Sequence, residues 1–192
     1  MLKPDKLLSE DSDIKIAGEK FTKRLDDGEL AAEEFQHQKS NGNIDKAYTL
    51  GTRLSELLFT TDIILSAHCG KKYATEPVIK FNAQVLFAFM AATVLEHSCP
   101  DSIIAQTAIN HFFNKVKEQS PELYHAILEN GAFSLYLLCV RDEKMACSCI
   151  GNTFAESCEM DDNPDIVKLG DELYNDYFEL CRNELISTNF VK

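Results

Sequence analysis

Positive charge is what this sequence has too little of. Its 19 lysines and arginines stand against 31 aspartates and glutamates, a formal net charge of −12. The shortage is uneven: residues 119–192 hold 14 acids and 5 bases, while residues 51–118 hold 6 of each. Phosphates are repelled by such a surface, so no nucleic acid is expected as a partner. No anionic membrane is expected either, for the same reason. The excess acid suits a solubilising surface or a basic partner protein.

Long apolar runs are also missing. The longest, Val85 to Leu95, counts eleven residues and is closed by Gln84 on one side and Glu96 and His97 on the other. A bilayer-spanning helix needs about 20. No secretory leader is expected, because Leu7 and Leu8 are followed at once by Glu10, Asp11 and Asp13. Seven cysteines without a leader fit a reducing compartment, and an odd number cannot all pair within one chain. The expected location is therefore cytoplasmic. Phosphate-binding loops, dinucleotide fingerprints, nucleophile elbows and His-Glu-x-x-His motifs are absent, as are internal repeats.

What is present is helical periodicity. Residues 1–40 are polar, with a weak stripe of Ile14, Ile16, Phe21 and Leu25, a break at Asp26-Asp27-Gly28 and a short helix from Glu29 to His37. We expect this segment to be loosely packed, with the bundle domain covering residues 41–192. After the turn Ser40-Asn41-Gly42, Asn43 or Asp45 can cap a long helix. Its apolar positions Leu50, Leu54, Leu57, Leu58, Ile64 and Leu65 fall at threes and fours, and Gly70 suits its end. A helix over residues 78–97 is apolar nearly all round, which requires neighbours on every side. Cys99-Pro100 stops it, and Asp101 or Ser102 caps the next. Ser120-Pro121 and Asn163-Pro164 start two more. Residues 133–158 suit either a hairpin or two short helices. Arg141-Asp142-Glu143-Lys144 lacks a hairpin dipeptide, which favours helices. The expected fold is all-α: one bundle of about seven or eight helices around helix 78–97.

Several constellations could carry chemistry. Glu34/His37 and Glu122/His125 each form Glu-x-x-His, the spacing with which di-iron bundles grip metal from one helix face. Against that, Glu122 is already explained by the helix start at Pro121, and Glu34 sits in a polar run. Asp161, Asn163, Asp165 and Glu172 fall on calcium-loop positions, but Ile166 stands where that loop needs glycine. Cys147 and Cys149, with Cys139 and Cys158 nearby, are badly spaced for a shared metal and read as small buried apolar residues. Asp62 follows Leu54 and Leu58 at spacing four, so it should share their apolar face. A hairpin turning at 70–76 would then place it opposite Gln84, as a buried polar pair that fixes register or binds a ligand. Phe59, Phe81, Phe87, Phe89, Met90, Phe112 and Phe113 are expected in the core, where they could also line a pocket for a small apolar ligand.

No cofactor is implied. The reading that follows is a binding or interaction protein that self-associates or takes a protein partner. A metal-dependent bundle using Glu/His or Cys ligands is the alternative, and an apolar-ligand binder the third.

Overall fold

A computed structural model describes residues 27–129, 131–141 and 146–191. The stripe over Ile14 to Leu25 lies outside the described residues. Among those described there are nine helices and no strand. They are α1 (Asp27–Ser40), α2 (Asn43–Phe59), α3 (Thr61–Ala74), α4 (Pro77–Ser98), α5 (Ser102–Gln119), α6 (Pro121–Glu129), α7 (Ala132–Arg141), α8 (Ala146–Ser157) and α9 (Pro164–Thr188).

The punctuation works largely as the sequence indicates. Pro77 opens α4 in its first turn, and Cys99 ends it in extended backbone, the conformation that a following proline imposes. Asp101 caps α5 by accepting from Ile103 N–H at 2.7 Å. Asn163 caps α9 by accepting from Asp165 N–H at 3.1 Å. The segment over 133–158 is helical on both sides of the Arg141–Lys144 link.

α4 forms the centre. Its residues Asn82 through Ala91 are all buried, and it packs against α2, α3, α5, α7, α8 and α9. Phe87 meets Tyr177 of α9 edge-on at 5.2 Å, and Phe89 meets Phe133 and Tyr136 of α7 at 5.4 Å. The aromatic rings thus fill one another's space. α4 has 22 residues and a mean hydropathy of 1.7 over its most apolar stretch, so by length and composition it could cross a membrane. Counting only the unbroken apolar run hid this. In the bundle, 67% of that stretch is buried by other helices. The buried Asn82 amide is satisfied there, donating to the carbonyls of Val78 at 3.0 Å and Ser157 at 2.8 Å.

Two close crossings, built on three glycines, flank this centre. Gly51 lets α2 lie on α5, where a Cβ would stand 2.7 Å from the Ala108 carbonyl. Gly151 and Gly170 do the same between α8 and α9: a Cβ on Gly170 would lie 2.7 Å from Cβ of Phe154. The Gly151 N–H also donates to Oδ1 of Asp171 at 2.9 Å. Burial pushes the Asp171 carboxyl up, and this bond partly restores it.

Two expectations need correction. The helix expected over 43–70 is two helices, because the chain bends at Thr60 (φ −105°, ψ 7°), and the second runs past Gly70 to Ala74. Asn43 is not a side-chain cap. Its amide is fully buried and clasps the end of the described chain, accepting from Val191 N–H at 2.9 Å and donating to Val191 C=O at 2.8 Å.

Candidate functional site

The break at Thr60 decides the fate of Asp62. It interrupts the periodicity that would have carried Asp62 onto the face of Leu54 and Leu58, and its side chain is 44% exposed. Its Oδ2 pairs with Lys80 Nζ at 2.6 Å, one helical turn before Gln84. Gln84 is buried in α4 and takes no part in that bond. The predicted Asp62–Gln84 pair is therefore replaced by a half-exposed Asp62–Lys80 ion pair, which ties the start of α3 to the start of α4.

The Glu-x-x-His motifs do not meet. His37 lies 3.6 Å from Glu34 on α1, and Glu34 also accepts from Gln38 at 2.6 Å. Glu122 and His125 are exposed on α6, and His125 rests against Tyr124. Among the described residues, no three His, Cys, Asp or Glu side chains converge as metal ligands.

A different cluster forms where α3 crosses α9. His68 stands between two carboxylates of α9: its Nε2 is 2.5 Å from Asp176 Oδ2, and its Nδ1 is 3.3 Å from Glu172 Oε2. Lys168 reaches Glu172 at 3.2 Å. A cleft of about 230 Å³ opens beside them, lined by His68, Tyr73, Asp165, Lys168, Leu169 and Glu172. A carboxylate stands at each ring nitrogen, so both nitrogens of His68 are engaged within the protein and neither is open to a substrate. The arrangement ties α3 to α9 through polar contacts. The signal in the sequence was two acids four apart, Glu172 and Asp176, on one helical face. Nothing local said that α3 would bring a histidine across them.

A second histidine, His111 of α5, lies 3.0 Å from Thr52 Oγ1 and edge-on to Tyr48. Burial and nearby Lys115 hold its pKa down, so it is neutral at pH 7. Thr52 also sits 3.1 Å from the Tyr48 carbonyl, to which its hydroxyl donates. The Thr52 oxygen then accepts from His111, the reverse of what nucleophile activation requires.

The cysteines divide. Cys139 of α7 and Cys149 of α8 form a disulfide, contrary to the expectation of unpaired buried thiols. Their Cα atoms are 5.5 Å apart, because α7 and α8 fold back on one another across a ten-residue separation. Burial pushes the thiol of Cys99 up to about 11 and those of Cys158 and Cys181 up to about 12. None of these three is a thiolate at neutral pH, so none serves as a nucleophile.

The least expected surface is on α7. Its sequence, Ala132 to Arg141, holds one charged residue at its end and is otherwise mostly apolar, with Ser134 exposed among the outer leucines. Ala132, Tyr136 and Cys139 point into the core, yet Leu135, Leu137 and Leu138 are 42%, 45% and 59% exposed. Leu128 of α6, 59% exposed, belongs to the preceding helix. On average α7 is thus nearly as apolar as α4, but only α4 is enclosed. Comparison of the chain with protein-family models, with curated proteins and with solved structures found no match.

Proposed function

We propose that the protein is an interaction module that self-associates through the outer face of α7, with the cytoplasm as its location. The observation that carries this reading is the cluster of part-exposed leucines, Leu135, Leu137 and Leu138, on the outer face of α7, since contiguous apolar surface is normally covered. A second copy is the occupant that charge favours. α7 contains no acid. Two such faces therefore meet without like-charge opposition, although the chain as a whole carries −12. An anionic membrane would face that full charge. The core rings pack against each other, which weakens the apolar-ligand reading. The separation of Glu34/His37 from Glu122/His125 weakens the metal reading.

Sedimentation equilibrium tests the proposal. The wild-type chain should dimerise, and the double variant L135E/L138E should be monomeric yet still melt cooperatively, its melting temperature lowered by no more than the lost dimer contacts account for. Each buried, unpaired carboxylate costs several kcal/mol, so dimer affinity should fall on the order of a thousandfold or more. A wild-type chain that stays monomeric at about 100 μM, or a double variant that dimerises as well as wild type, would overturn it.

A further inference from the structure

The inner and outer faces of α7 carry different chemistry, and the two are coupled. Outside are Leu135, Leu137 and Leu138; inside, Cys139 is 4% exposed and bonded to Cys149. Apart from that bond, α7 is held by the buried side chains of Ala132, Tyr136 and Cys139 and by the partly buried Phe133 and Val140, with Phe133 and Tyr136 both against Phe89 of α4. Ala132 buries little area, and the outer leucines, 42–59% exposed, bury only part of theirs. The disulfide adds a covalent tie to that packing. It joins α7 to α8, and α8 is firmly seated on α9 through Gly151 and Phe154.

We infer that the Cys139–Cys149 pair is a reversible clamp, and that its redox state sets whether α7 holds its leucine face in place. The regulatory part of this rests on the self-association reading above; the clamp itself does not. Exposure gives the two sulfurs different roles. Cys149 is half-buried and Cys139 buried, so an incoming thiolate reaches Cys149 first. In reduction by a small dithiol, one thiolate attacks Cys149 Sγ, the S–S bond breaks, and Cys139 leaves as a thiolate that takes up a proton. The second thiol of the reductant, once deprotonated, attacks the mixed disulfide and releases Cys149 as a thiolate, which is protonated in turn. The dithiol ends as its own disulfide. In the reverse direction a small-molecule disulfide accepts the two electrons: the Cys149 thiolate displaces one small thiol, and Cys139 displaces the second from the mixed disulfide. A disulfide that cycles in this way fits a reducing compartment, where such bonds are transient.

Hydrogen exchange on the full chain tests the clamp, at one protein concentration, in three samples: oxidised, dithiol-treated, and Cys149→Ser. Peptide mapping of the oxidised sample should find Cys139 linked to Cys149. Reduction should speed exchange of the α7 amides on the order of tenfold or more, because opening α7 no longer has to strain a closed loop. Exchange in α4 should stay slow, and Cys149→Ser should match the reduced sample and ignore dithiol. Oxidised protein without that link, unchanged α7 exchange, or acceleration spread equally over α4 would each overturn the inference. Sedimentation of the same samples separates the two ideas. Oxidised protein that is monomeric overturns self-association, while the exchange data still decide the clamp.

Discussion

Phe87→Ala should lower the unfolding free energy by about 3–5 kcal/mol, and the melting temperature by roughly 6–20 °C for a chain of this size. Phe87 is fully buried at the middle of α4 and meets the equally buried ring of Tyr177 edge-on. Removing it takes away the transfer free energy of the ring and leaves a cavity between α4 and α9, two helices that cannot close on each other without moving the rest of the bundle. Phe87→Leu keeps most of the apolar volume and should lose distinctly less. Chemical denaturation with an unchanged slope would show that the native state, and not the unfolded ensemble, has been altered. A loss below about 1 kcal/mol, the level of an ordinary surface substitution or less, would mean that the α4–α9 contact is loosely packed.

Gly151→Ala should cost about 3 kcal/mol or more, at or above the upper end of ordinary overpacking. Alanine is normally the better helix former, by about 1 kcal/mol, so propensity predicts the opposite sign. Packing wins here because the added methyl would collide with backbone. It would meet the carbonyl of Val167 and lie 2.6 Å from the Asp171 carboxylate that accepts the Gly151 N–H. Neither can step aside: the carbonyl belongs to the α9 backbone, and the carboxylate would lose its bond. Gly131 is the control, since a Cβ there meets nothing within 4 Å. Gly131→Ala should be close to neutral by thermal melting, and the difference between the two variants isolates the crossing.

The parts of the fold that the sequence made legible have local causes. Pro77, Pro100, Asp101, Ser120-Pro121 and Asn163-Pro164 act on the residues beside them, and the structure places helix boundaries at each. The uninterrupted apolarity of residues 78–97 needs no knowledge of the partners to demand them. What stayed hidden depends on where separate helices meet. The bend at Thr60 has no proline or glycine to announce it, and the threes-and-fours pattern runs on through it. That single bend moved Asp62 out of the core and onto Lys80. His68 finds Glu172 and Asp176 only because α3 crosses α9, more than a hundred residues later in the chain. Cys139 and Cys149 pair only because α7 and α8 fold back on one another, which the sequence pattern does not show. The outer face of α7 was invisible for the opposite reason: a run of apolar residues does not say which of them will be covered, and only the packing leaves Leu135, Leu137 and Leu138 42–59% exposed.

Hydrogen exchange at two protein concentrations tests most directly the contrast on which the account depends, between one enclosed apolar helix and one bare one. Amides from Asn82 to Leu95 should exchange only through global unfolding, equally slowly in dilute and concentrated samples. Amides of α7 should exchange faster when dilute and slow markedly when concentrated, as a second copy covers the leucine face. Rapid exchange in α4, or α7 exchange independent of concentration, would contradict it.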